Sequence, residues 1–117
     1  MILILSADAV AAALLGALIE TFGYTIRFAH SGEVPQDSIR RVRPKVCLID
    51  SLDSSSCNPE VIGRASMRGI SVVIFGTRQA IARVRAHIAD HDIDMVLVPP
   101  EPAILDETLR RAMLKAG

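Results

Sequence analysis

Tryptophan is absent from this chain, and its only aromatic side chains are three phenylalanines and one tyrosine. Platforms that stack on bases need more rings than that, which argues against single-stranded nucleic-acid binding. Excess charge is missing too: 13 lysines and arginines balance 13 aspartates and glutamates, for a formal net charge of zero. A duplex-binding surface would need a basic excess. Cysteine is scarce. Cys47 and Cys57 do not form the C-x-x-C spacing of zinc or dithiol sites. Cys47 lies inside the apolar run Val46–Ile49, so no bridge to the polar loop around Cys57 is expected, and two reduced thiols fit a cytoplasmic protein. Long hydrophobic runs are lacking as well. The run Met1–Leu5 is short and has no basic flank, and Ser6 and Asp8 separate it from the uncharged stretch Ala9–Ile19. Neither reaches the ~20 apolar residues of a membrane span or has the layout of a signal peptide. The expectation is a cytoplasmic protein with no direct membrane or nucleic-acid contact.

What is present is a chain of 117 residues, half of them apolar and 22% charged, enough for one domain over residues 1–117. Five short runs rich in Ile, Val and Leu recur: Ile2–Leu5, Thr25–Phe28, Val46–Ile49, Ser71–Phe75 and Met95–Val98. Most do not alternate with polar residues, which marks strands buried on both faces of a parallel sheet. Arg27 breaks the second run, which fits an edge strand. Helical patterns fill the gaps. Asp8 is placed to cap a helix over Ala9–Phe22, with Gly23 as its stop and Leu14, Leu15, Leu18, Ile19 and Phe22 as its core stripe. A second helix spans Pro35–Val42. A third starts at Asn58-Pro59-Glu60, an N-cap followed by proline and an acid, and ends before Gly69. A fourth is expected over Arg78–Ala89, with Ile81, Val84 and Ile88 on one face. The fifth is expected over Pro102–Leu114, with Ile104, Leu105, Leu109, Ala112 and Met113 inward. Strand and helix alternate five times, which requires a parallel sheet covered by helices on both sides.

The stretch Ala29-His30-Ser31-Gly32-Glu33, then a helix, then Pro44-Lys45-Val46-Cys47-Leu48-Ile49-Asp50, resembles the receiver domains of bacterial two-component response regulators. Val96-Leu97-Val98-Pro99-Pro100 is similar to that family's fifth strand and following turn. The resemblance covers nearly the whole chain. It implies a three-layer (βα)5 flavodoxin-like, CheY-like α/β fold with a five-stranded parallel sheet in the order 2-1-3-4-5, and a site at the carboxyl ends of strands 1, 3, 4 and 5. It places the family's phospho-acceptor on Asp50, a carboxylate able to attack a phosphoryl donor.

The same resemblance implies a degenerate pocket. The family's Mg²⁺-holding acids fall on Ser6 and Ala7, with Asp8 next in line but also suited to cap the first helix. The family's lysine falls on Pro99, with a cis bond expected at Pro99-Pro100. Its switch hydroxyl falls on Gly76, with Thr77 one residue later as a helix cap, and its switch aromatic falls on Val96. Phosphoryl transfer depends on cations that neutralise developing charge, and a lone carboxylate is a poor Mg²⁺ site. The expectation is therefore a pseudo-receiver: a phosphorelay-type protein-interaction module rather than an enzyme, with no cofactor and no metal. Its implied partner is a histidine kinase or downstream regulator. A homodimer through helix 4, strand 5 and helix 5 is also implied, on a face presenting Arg83, His87, Arg110 and Arg111.

Two alternatives stand beside it. One is a working phospho-acceptor at Asp50, using Mg²⁺ recruited by Asp8 or Asp53. The other is a flavodoxin-like phosphate binder, with an anion cradled by the serine-rich loop Ser51–Ser56 and the helix start at Asn58. Arg40, Arg41, Arg43 and Lys45 are expected simply to favour the dipole at the end of helix 2. His87 and His91 are expected to be surface residues rather than a metal pair.

Overall fold

The computed structural model describes residues 1–88 and 93–117. Five parallel strands, β1 (Ile2–Leu5), β2 (Ile26–Phe28), β3 (Val46–Asp50), β4 (Ser71–Gly76) and β5 (Asp94–Leu97), alternate with five helices. These are α1 (Ala9–Glu20), α2 (Pro35–Val42), α3 (Pro59–Met67), α4 (Arg78–Ile88) and α5 (Pro102–Lys115). The sheet order is β2-β1-β3-β4-β5, the CheY-like arrangement. Residue 89, the expected end of α4, and His91, one of the two histidines considered as a metal pair, lie outside the described residues.

The apolar runs of β1, β3 and β4 do not alternate because each of these strands feeds two cores. Ile2, Ile4, Val46, Leu48, Val73, Phe75 and Val96 point to one side, where they meet Leu15 and Ile19 of α1 and Leu105 and Leu109 of α5. Leu3, Leu5, Cys47, Ile49, Val72 and Ile74 point to the other, against Ile39 of α2, Val61 and Ile62 of α3, and Ile88 of α4. Successive side chains leave opposite faces of a strand, so a sheet covered twice needs apolar residues at every position. β3 is buried throughout and β2, at the edge, buries only Ile26. Register follows from this packing: Leu5 pairs with Ile49, and Asp50 pairs with Phe75.

Two expected core residues are instead at the surface. Leu14 of α1 is 70% exposed and Ile104 of α5 is 54% exposed. In α1 the inward positions are Ala12, Leu15, Gly16 and Ile19. Because the helix is apolar on every side, periodicity cannot choose its inner face. Gly16 allows close seating, since a Cβ there would stand 2.9 Å from the Phe28 ring. α2 ends as Arg43 turns to φ +50, because the Pro44 ring disfavours the right-handed region for the residue before it.

Candidate functional site

The strand order reverses between β1 and β3, and clefts in open α/β sheets form at the carboxyl ends of the strands flanking such a point. Asp50, the last residue of β3, stands there with 8% of its surface exposed. Its carboxylate is held from two sides. Ser6 Oγ donates to Oδ2 at 2.7 Å, and the backbone N–H of Leu52 donates to Oδ1 at 3.0 Å. Hydrogen bonds to an ionised acceptor are the strong ones. Ser6 has one hydroxyl proton, and the geometry favours Asp50 over the Asp8 carbonyl at 3.3 Å. Ser6 Oγ in turn accepts from the Asp8 N–H at 3.1 Å.

The other acids near the site are committed to local turns. Asp8 caps α1: its Oδ1 accepts from the N–H groups of Val10 and Ala11, both at 3.1 Å. Asp53 accepts from Ser55 Oγ at 2.7 Å and from Ser56 Oγ at 2.9 Å. Ala7 brings no ligand atom. Among the described residues no three of His, Cys, Asp and Glu gather closely enough to hold a metal ion. Mg²⁺ needs carboxylates converging in near-octahedral geometry. Asp50, Asp8 and Asp53 do not fit that need in this arrangement. The serine loop is no anion cradle either, since Ser55 and Ser56 turn their hydroxyls onto Asp53. Asn58 caps α3 through Val61 N–H at 3.0 Å.

The remaining positions follow the sequence expectation in part. Gly76 is the last residue of β4, paired with Leu97, rather than the first residue after the strand. Thr77 is exposed and caps α4, its Oγ1 accepting from the Ala80 N–H at 3.2 Å. The space above Gly76 is filled by the residue that follows β3: Ser51 Oγ would overlap any Cβ placed on residue 76. Among the described residues that buried hydroxyl has no hydrogen-bond partner. Pro99 stands just beyond β5, and the cis bond is at Val98-Pro99, one residue before the expected Pro99-Pro100. Val98 and Pro99 both lack a cation. The two lysines are at the opposite end of the sheet, Lys45 just before β3 and Lys115 at the end of α5.

Two groups that the sequence reading did not assign shape the rim. Glu33, in the motif after β2, accepts from Arg41 Nε at 2.8 Å, Ser38 Oγ at 2.6 Å and the His30 N–H at 2.9 Å. These donors hold the Glu33 carboxyl well below its usual range, the Arg41 bond first. Arg41 also donates to the Phe28 carbonyl at 3.0 Å, tying the loop after β2 to α2. Arg41 therefore serves this clamp, and Arg40 pairs with Asp37 at 3.3 Å, so the basic cluster is more than a dipole partner. A glutamate eight residues before an arginine gives no periodic signal, which is why it escaped notice. The loop, Ser6, Ala7 and Asp53 line a cleft of about 480 Å³, which Asp50 meets through its hydrogen bond with Ser6.

Around the β5 edge of the sheet, Arg110 and Arg111 are not free. Arg110 pairs with Asp106 at 3.2 Å and Arg111 with Asp94 at 3.2 Å. Arg83 and His87 of α4, Leu97 of β5 and Ile104 of α5 are exposed. Cys47 and Cys57 are both free thiols. Among the described residues no helix is long and apolar enough to cross a membrane.

No family model matches the chain, and no curated protein matches it. Solved structures do. A candidate response regulator from Chloroflexus aurantiacus is 21% identical, with a TM-score of 0.78 over 97% of this chain and 96% of that one. A candidate pilus assembly-related protein from Burkholderia pseudomallei is 22% identical, with a TM-score of 0.75 over 99% of this chain and 90% of that one. The N-terminal signal receiver domain of a two-component response regulator from Bacteroides fragilis is 23% identical, with a TM-score of 0.75 over 96% and 94%. The likeness establishes the receiver-type fold.

Proposed function

We propose that this chain is an atypical receiver-like module, a pseudo-receiver, that acts through protein contacts and not through a Mg²⁺-dependent phosphorylation cycle. On this reading it is a cytoplasmic binding module and not an enzyme. The observation that supports it is the surroundings of Asp50: a serine hydroxyl at 2.7 Å where the family keeps a metal-holding acid, with Asp8 and Asp53 turned to other bonds. Neutralising groups are what phosphoryl transfer to a carboxylate depends on. Each ~1.4 kcal/mol of lost transition-state stabilisation is tenfold in rate, so losing several such groups leaves little reaction. The face of α4, β5 and α5, with Arg83, His87, Leu97 and Ile104 exposed, is the surface we assign to a protein partner. A histidine kinase, a downstream regulator or a component of the pilus-assembly kind named for one similar structure is the first to test.

One observation favours a second reading. Asp50 itself is kept at the end of β3, hydrogen-bonded to Ser6, which lines an open cleft, and a working phospho-acceptor needs a carboxylate at that strand end. Intact-mass measurement after incubation with acetyl phosphate and Mg²⁺ separates the two. The pseudo-receiver gives no phosphoryl adduct. An adduct that disappears in Asp50→Asn supports the phospho-acceptor and sinks the first reading.

A further inference from the structure

We propose that two copies of this chain pair about a twofold axis through the outer face of α1. This contact is distinct from the α4–β5–α5 surface assigned to a partner.

From Ala9 to Ile19 the helix has no polar side chain, yet only Ala12, Leu15, Gly16 and Ile19 are buried in the fold. Val10 and Leu14, one turn apart, are each 70% exposed, with Ala13 and Ala17 exposed beside them. A helix apolar on all sides belongs in an interior. The other four helices each show at least two charged residues at exposed positions, so α1 is the exception.

The patch has both a projection and a recess. Val10 and Leu14 form a ridge. Next to it, Ala9, Ala13, Phe28 and Ala29 border a mostly apolar groove of about 210 Å³ between α1 and β2. Phe28, 41% exposed, carries the patch to the sheet edge. An isologous contact must be self-complementary, with the same patch on both copies. Here the ridge of one copy can enter the groove of the other, and the reverse, as helix ridges enter grooves generally. Charge points to the same occupant. The patch carries none, so its partner should carry none, and among the exposed helix faces of the described residues only α1 qualifies. Residues on a twofold axis meet their own copies, which penalises charge and not alanine or leucine.

Pairing through the strand edge is blocked. Thr25 O bonds Ile2 N of β1 at 2.9 Å, so the next carbonyl, Ile26 O, faces outward. Arg27 Nη1 covers it at 2.9 Å. A charged side chain on an edge strand discourages sheet extension, so on this side of the molecule, at the β2 edge, α1 is the surface left for contact. One helix face with its flanking strand falls at the small end of stable interfaces, below about 1,200 Å² of total burial, so the dimer should dissociate on dilution.

Sedimentation of the full chain across the micromolar range tests this. The expected result is a monomer–dimer equilibrium that shifts to monomer on dilution, and that Leu14→Glu abolishes while leaving the circular dichroism spectrum and urea midpoint near those of the wild type. Leu14 is exposed, so the fold tolerates the change. In a Cys57→Ser background, Ala13→Cys should form an intermolecular disulfide under mild oxidation, and Ile104→Glu should leave the dimer intact. The proposal is overturned by a wild-type chain that stays monomeric at the highest concentration, by a dimer that persists in Leu14→Glu, or by a dimer lost in Ile104→Glu instead.

Discussion

Ser51 occupies the room that a side chain on Gly76 would need. Its hydroxyl is buried, unpaired among the described residues, and placed where a Cβ on residue 76 would fall. In the family this chain resembles, the end of strand 4 supplies a hydroxyl to the pocket. Here the strand-4 position is bare and the residue following β3 lays a hydroxyl over it. The two positions are coupled by volume.

That coupling gives a double-mutant prediction. Gly76→Ser alone should destabilise the fold by ~1–3 kcal/mol through overpacking. Combined with Ser51→Gly, the cost should fall well short of the sum, by ~0.5–3 kcal/mol. Ser51→Ala should be neutral or slightly stabilising, because it deletes a buried hydroxyl that makes no bond. Urea unfolding of the wild type, Gly76→Ser, Ser51→Gly, the double variant and Ser51→Ala measures each term, and strictly additive losses in the cycle would remove the steric account.

Asp8 separates a capping role from a metal-binding one. Asp8→Ala should cost ~0.5–2 kcal/mol of stability through loss of the α1 cap, whereas Asp8→Asn should cost almost nothing, since asparagine caps equally well. If stability instead rises with added Mg²⁺ in the wild type and not in Asp8→Asn, the carboxylate charge has a use beyond the cap.

The Glu33–Arg41 clamp should appear as an acid-dependent stability. The Glu33 carboxyl is held below its ordinary value of 4.5 in the fold by Arg41, Ser38 and His30. Its contribution is therefore complete above that unfolded value and is lost as pH falls below it toward the depressed folded one. Between about pH 7 and about pH 3 the wild type should lose more stability than Glu33→Gln. Parallel declines in the two proteins would show that the clamp contributes nothing.

Both thiols should be slow to react. Burial pushes Cys47 up to about 12. Cys57 is pushed up to about 11, by burial first and then by the nearby Asp50 and Asp53 charges. The thiolate is the reactive form, so a chromogenic disulfide reagent at neutral pH should label Cys57 slowly and Cys47 only after unfolding. Rapid labelling of Cys47 in the folded protein would contradict the packing of β3.

The fold was legible because its signals are local and repeated. Five short apolar runs, only the second broken by a charge, separated by capped helical patterns admit little besides a doubly covered parallel sheet, and the caps at Asp8 and Asn58 are where the sequence puts them. Asp50 at the end of β3 was legible for the same reason, by its place at the end of an apolar run.

Composition and order along the chain thus determined the architecture and, among the described residues, the reach of the helices to within a few residues. Tertiary structure alone decided which side of α1 faces water, that Ser6 bonds Asp50 from 44 residues away, that Ser51 fills the space over Gly76, and that Arg41 clamps Glu33. Those facts depend on distances between elements far apart in sequence. Periodicity reports which residues share a face of one element, but only packing fixes what that face meets.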